Sequence, residues 1–144
     1  LGYLWFISLN KDIRRIFQYH GAEHMSVHCY EAKEPLTIEN VKKYSPIHPR
    51  CGTSFIIIVI FISIILFSIV WSESLLMKLI QRIVLIPIIA GVSYELLKTT
   101  AKHQQSKVMR VLSSPGLWIQ KITTKQPDDD QIEVAIVAVK TATS

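Results

Sequence analysis

Apolar positions are distributed unevenly along the chain, and that unevenness defines its elements. Residues 53–71 (TSFIIIVIFISIILFSIVW) contain no charged side chain. Nineteen residues at about 1.5 Å each extend roughly 29 Å, close to the hydrocarbon thickness of a bilayer. A helix buried in a protein core keeps a polar stripe, whereas this stretch has only three serines and a threonine. It predicts a membrane-spanning helix. Its mid-chain position, with no export-type charged start ahead of it, is unlike a cleaved signal peptide.

A second apolar stretch, residues 83–97 (IVLIPIIAGVSYELL), is interrupted by Pro87, Gly91 and Glu95 and preceded by Lys78 and Arg82. It is short for a full span. Arg82 and Lys98 can snorkel to the two interfaces and extend it, so the second span is assigned to residues 79–97. With only residues 72–82 between the two stretches, a helical hairpin is the simplest arrangement. Residues 1–9 (LGYLWFISL) read as the end of another apolar helix that begins upstream, which predicts that further residues precede this sequence.

Between and beyond these stretches the pattern turns polar. Asn10 predicts the cap of a helix over residues 11–33 that ends before Pro35. Thr37 predicts the cap of a short helix through Tyr44. Residues 45–52 (SPIHPRCG), with two prolines and a glycine, predict a shaped loop. Residues 98–112 read as a polar helix that Pro115-Gly116 breaks, with Leu117-Trp118-Ile119 suited to the membrane interface. The final segment, IEVAIVAVK, is β-branched enough for a strand. Acid at its start (Asp128 to Asp130) and Lys140 at its end favour a helix. The predicted fold is an all-α membrane domain, a transmembrane hairpin with further helices on one side and a truncated first helix.

Charge changes the picture by giving it a direction. The 144 residues carry a formal net charge of +5. Lys11, Arg14, Arg15, Lys33, Lys42, Lys43 and Arg50 precede the first full span, and Lys98, Lys102, Lys107, Arg110, Lys121 and Lys125 follow the second. The hairpin connection has only Lys78 and, at its edge, Arg82, with Glu73 against them. The positive-inside rule places residues 10–52 and 98–144 together on the cytoplasmic or equivalent side. Anionic lipid headgroups account for the positive charge. No basic patch interleaved with aromatics is present, so nucleic acid is not an expected partner. Cys29 and Cys51 then face a reducing compartment, which disfavours a disulfide and leaves thiol or thiolate roles.

The candidate chemistry lies on that side. Four of the five histidines fall between residues 20 and 48, within YHGAEHMSVHCYE and the proline loop. His20-Gly-Ala-Glu23-His24 matches H-x-x-E-H, the inverted zinc-peptidase arrangement. Imidazoles four apart on a helix point the same way, so His20 and His24 can share an ion while Glu23 serves as general base. Glu31 returns to nearly the same face as a third ligand or an orienting partner, and His28 and Cys29 lie between. His48 and Cys51 form an H-x-x-C pair. Cys51 just precedes a helix whose dipole favours the thiolate. Glu95, near the cytoplasmic end of the second span, is a further candidate. A structural alternative remains open, since histidines at this spacing can simply line an amphipathic surface helix, and Glu95 can pair with Lys98 or Arg82.

The strings YHGAEHMSVHCYE, LTIENV, HPRCGTSF, AGVSYELLK, PGLWIQKITT and PDDDQIEVAI occur together and in order. From about Asp12 to Lys140 this set resembles the YqhQ-like family of multi-pass membrane proteins of bacterial plasma membranes and plastids, a domain of unknown function labelled a predicted metal-dependent enzyme. The resemblance implies a multi-pass protein of uncharacterised activity, and the histidine pattern itself suits zinc or another divalent transition metal. Two departures stand out: Met25 replaces a lysine usual after the second histidine, and the family's glycine-rich N-terminal section is absent. Three functions compete. The first is a metal-dependent hydrolase acting on a lipid headgroup or membrane-protein segment, with His20 and His24 as ligands and Glu23 as base. Glu31, His48 or Cys51 completes the metal shell, His28 being a further candidate ligand. The second is a non-enzymatic scaffold or assembly factor held by a structural metal or polar cluster. The third is a transporter, ranked last because so few spans need an oligomer to make a pathway.

Overall fold

The computed structural model describes residues 2–70 and 72–144. Leu1 and Trp71, the outer ends of the predicted segments 1–9 and 53–71, lie outside the described residues. Regular structure among the described residues is entirely helical: α1 (Gly2–Ile7), α2 (Lys11–Glu31), α3 (Ile38–Val41), α4 (Gly52–Ile69), α5 (Leu75–Lys102), α6 (Lys107–Thr123) and α7 (Asp129–Thr143). The chain divides into two compact units, one of residues up to 48 with 117–144 and the other of residues 49–116.

The first unit is built on α2. Asn10 caps it, its side chain accepting the Asp12 N–H at 2.8 Å. The helix closes at the other end in a Schellman arrangement: the Lys33 N–H donates to Tyr30 O at 2.9 Å and the Glu34 N–H to Cys29 O at 3.2 Å. Lys33 takes the left-handed conformation there (φ 59°) that glycine usually fills. α7 packs along α2, and α3 packs on both. Their apolar faces meet in a core of Ala22, Met25, Cys29, Val41, Ile132, Ala135 and Ile136, flanked by Leu36, Ile38 and Tyr44. α7 is a helix, as its terminal charges favoured. It begins in a capping box in which the Asp128 N–H donates to Gln131 Oε1 at 2.9 Å.

The connection between α6 and α7 lies on the first half of α2. The Lys125 N–H donates to Phe17 O at 2.9 Å, and Gln18 Nε2 donates to Gln126 O at 3.2 Å. Gly21 allows this approach, because a Cβ there would overlap the Lys125 carbonyl and meet Pro46.

The second unit centres on α4 packed against α5. Both are long and apolar enough to cross a membrane, and only 6% of the most apolar eighteen-residue stretch of each is buried. Their large aliphatic residues, among them Ile60, Ile64, Ile83 and Ile86, are exposed. α5 is longer than the predicted 79–97 at both ends and runs through Pro87.

The polar helix expected over 98–112 is divided differently. Its first residues complete α5, a turn follows at 103–106, and α6 begins at Lys107. Pro115-Gly116 does not break α6, a correction with a local cause. Pro115 lacks the N–H that would bond Val111 O, and the Ser114 hydroxyl donates to that carbonyl instead at 2.7 Å. Gly116 sits against Ser54 of α4 so closely that a Cβ would lie 2.9 Å from the Ser54 Cα. The pair reads in sequence as a breaker and serves in the fold as a helix-packing site.

Candidate metal centre

Spacings of four, four and three bring His20, His24, His28 and Glu31 to one face of α2. His48 joins them from the loop after α3. The rings form a row: His20 and His24 have centroids 4.4 Å apart, His24 and His48 5.7 Å, and His48 and His28 4.4 Å. His24 and His48 are each only 5% exposed. This burial separates them from histidines that line a wet surface helix.

Backbone carbonyls fix three of the rings. His20 Nδ1 lies 2.9 Å from Thr123 O, His24 Nδ1 2.7 Å from Pro46 O, and His28 Nε2 3.0 Å from Ile47 O. A carbonyl only accepts, so each of these nitrogens is the N–H and donates. In the neutral ring the lone pair is then on Nε2 of His20 and His24 and on Nδ1 of His28. This is the usual arrangement of metal-ligating histidines, whose other nitrogen is held by an orienting acceptor. His28 also stacks on Tyr44, with ring centroids 6.1 Å apart.

His48 is fixed through its backbone. Its N–H donates to Gln120 Oε1 at 2.9 Å and its carbonyl accepts from Gln120 Nε2 at 3.0 Å. Burial lowers the His48 pKa to about 4; the His28 charge lowers it too, His24 adds to the fall, and Glu31 opposes it. His48 is therefore a neutral imidazole at physiological pH, able to ligate without first losing a proton.

Donor atoms of His28, Glu31 and His48 all lie within 4.8 Å of one another. His48 Nε2 is 3.5 Å from Glu31 Oε2. With His48 neutral this is not an ion pair. It does match the separation of two ligands on one tetrahedral zinc, about 3.3–3.6 Å for bonds of about 2.0–2.2 Å. Two imidazoles and a carboxylate suit zinc and its neighbours among the divalent transition metals. Glu31 also lines an open cleft of about 560 Å³ with Tyr30, Lys33, Glu34, Leu36 and Lys140.

The remaining candidates are not members of the His28, Glu31 and His48 set. Glu23 is exposed on α2 and outside this converging donor set. Cys29 is a core thiol with Sγ 3.6 Å from Pro35 O; burial raises its pKa, and Glu34 raises it further. Met25, the departure from the family pattern, is wholly buried in the same core. Cys51 belongs to the second unit and is the N-cap of α4, its sulfur accepting the Thr53 N–H at 3.4 Å. Neither cysteine is in a disulfide. Glu95 is exposed on α5 in the second unit. Sequence reasoning missed Gln120 and the carbonyls of Thr123, Pro46 and Ile47. Gln120 is completely buried on a face of α6 that also buries Ser113 and Thr123, small and polar residues that give no apolar pattern to mark it.

A family model described as "Protein of unknown function (DUF1385)" matches residues 1–144. A Bacillus subtilis (strain 168) relative described as "Uncharacterized protein YqhQ" is 45% identical over 136 residues, which is 94% of this chain and 43% of that protein. The chain thus spans less than half the length of that relative. No solved structure matches it. With a family match along its whole length and a relative so close, this chain belongs to the DUF1385 family.

Proposed function

We propose that the chain is a multi-pass membrane protein whose first unit binds a divalent transition metal through His28, Glu31 and His48 and uses it for hydrolysis. The observation that carries the metal reading is the convergence of those three donors within 4.8 Å, with one imidazole oriented by a carbonyl and another held neutral by burial. Three protein ligands leave a coordination position open, as catalytic zinc sites do, whereas structural sites close with four. A divalent ion there would supply Lewis-acid polarisation of a carbonyl or phosphoryl oxygen. The protein's own part is positional: Ile47 O sets the His28 ring, Gln120 sets the His48 backbone, and Glu31 joins the site to the cleft. In this reading the functional carboxylate is Glu31 rather than the Glu23 of the H-x-x-E-H string.

The membrane part rests on the length and outward-facing aliphatic residues of α4 and α5. The positive-inside distribution puts the metal unit on the cytoplasmic side, where a lipid headgroup or a membrane-protein segment is the expected substrate.

The test is elemental analysis of the detergent-purified chain beside His28→Gln/Glu31→Gln, in which glutamine keeps a donor for Ile47 O. At least one tightly held zinc-like ion per chain is expected; the double variant should hold one ion fewer than the wild type, and Glu23→Gln the same number. A metal-free wild type, or a metal content unaltered by the double change, overturns the reading.

A scaffold with a structural ion is the second reading. It is favoured by the way His20, His24 and His28 tie α2 to carbonyls from two other segments. In a scaffold, metal removal lowers the melting temperature of the wild type steeply. In an enzyme the apo protein stays folded.

A further inference from the structure

We propose that His20 and His24 form a second divalent-metal site, distinct from that of His28, Glu31 and His48, so that the chain holds two ions. This rests on the metal reading above and extends it.

The spacing of the row is the first argument. The rings fall into two close pairs, each with centroids 4.4 Å apart, separated by the wider 5.7 Å step between His24 and His48. Ring nitrogens of His20 and His24 approach within 4.8 Å, as do the donor atoms of the other set.

The tautomers are the second. His20 and His24 both donate from Nδ1, to Thr123 O at 2.9 Å and Pro46 O at 2.7 Å. Both therefore carry the lone pair on Nε2, the ring end farther from the helix. His28 donates from Nε2, so its lone pair is on Nδ1, nearer the helix. The row thus contains one pair with matched outer donors and one set that uses an inner donor, a poor basis for a single four-imidazole site.

Burial is the third. Two imidazoles that served only as surface groups would gain little from being oriented by two different segments. Here His24 is 5% exposed, and a residue with a Cβ at position 21 would push those segments away, since Gly21 faces both Lys125 and Pro46. A pair of imidazoles four apart on a rigid helix is a bidentate chelate for Zn²⁺, Co²⁺, Ni²⁺ or Cu²⁺, with Cu²⁺ held most tightly. Counting ligands of the first unit alone, this site has two to its neighbour's three and is the weaker.

The test is equilibrium dialysis of the full, detergent-purified chain against Zn²⁺, with three proteins compared. One variant is His20→Asn/His24→Asn, in which the asparagine amide takes the place of Nδ1 and keeps a donor for Thr123 O and Pro46 O while Nε2 is lost. The other is His28→Gln/Glu31→Gln. Two ions are expected in the wild type, one tight ion in the asparagine variant and one weaker ion in the glutamine variant. A single wild-type ion lost only in the glutamine variant overturns the second site and leaves the first standing. A single ion lost in both variants means one shared site and also overturns the proposal. No ion at all removes both readings. A measurement on the unaltered chain guards against misfolded variants: at two equivalents of Cu²⁺ the electron paramagnetic resonance spectrum should show dipolar coupling between neighbouring ions. An isolated-copper spectrum at full loading overturns the proposal.

Discussion

The two units use apolar residues in opposite ways. In the first, Met25, Val41, Ile132 and Ile136 turn inward between α2, α3 and α7, and most charged side chains are exposed. In the second, α4 and α5 turn their isoleucines outward and bury almost none of them. A water-soluble domain shows the first pattern, and the second is stable only where something apolar covers it. The difference also governs what a small change costs. At Gly21 of the first unit the backbone is packed to contact, and at Gly91 of the hairpin it is not.

Two glycines give the largest contrast. Gly21→Ala should destabilise the first unit by about 3 kcal/mol, because the Lys125 carbonyl must move to admit the methyl group. Gly91→Ala meets nothing within 4 Å and should be neutral or stabilising by up to about 1 kcal/mol, the helix-propensity gain. Thermal unfolding in detergent compares them; equal melting temperatures would break the distinction.

Two isoleucines of similar exposure sharpen it further. Ile64 on α4 is 62% exposed and Ile16 on α2 is 59% exposed. A lysine at 64 should impede membrane insertion by about 2.5–3.5 kcal/mol, whereas a lysine at 16 should change stability by no more than about 0.5 kcal/mol. A glycosylation-based insertion assay reads the first and unfolding reads the second. Failure of the wild-type α4 to insert would place its surface in water, and equal insertion of Ile64→Lys and wild type would break the contrast.

The smallest effect is confined to the first unit. Lys33 holds a left-handed conformation at the end of α2, so Lys33→Gly should stabilise by about 1 kcal/mol. An unchanged melting temperature would show that the turn is not held as described.

Local signals made much of the helical structure legible. Asn10 and Pro35 bracketed α2, which ends at Glu31, two residues short of expectation. The acid-to-base order fixed α7 as a helix despite its valines. Proline-glycine misled at α6, because the compensating Ser114 hydroxyl and the Ser54 contact are tertiary facts. The histidine cluster stood out in sequence, but its geometry did not. The H-x-x-E-H string drew attention to the nearest carboxylate, Glu23, whereas the folded chain brings Glu31 towards His48. The Gln120 contact with His48 spans 72 residues, a distance over which no spacing rule operates.

That last contact sets an order of events during synthesis. His28, Glu31 and His48 leave the ribosome early, but Gln120 follows His48 by 72 residues, with α4, α5 and most of α6 in between. At roughly 5–20 residues per second, the gap lasts roughly 4–14 s. Throughout it the nascent histidines lack the carbonyl of Thr123 and the amide of Gln120. The hairpin must therefore be made before the first unit can close, and a metal-ready arrangement can arise only on a chain whose two apolar helices already exist.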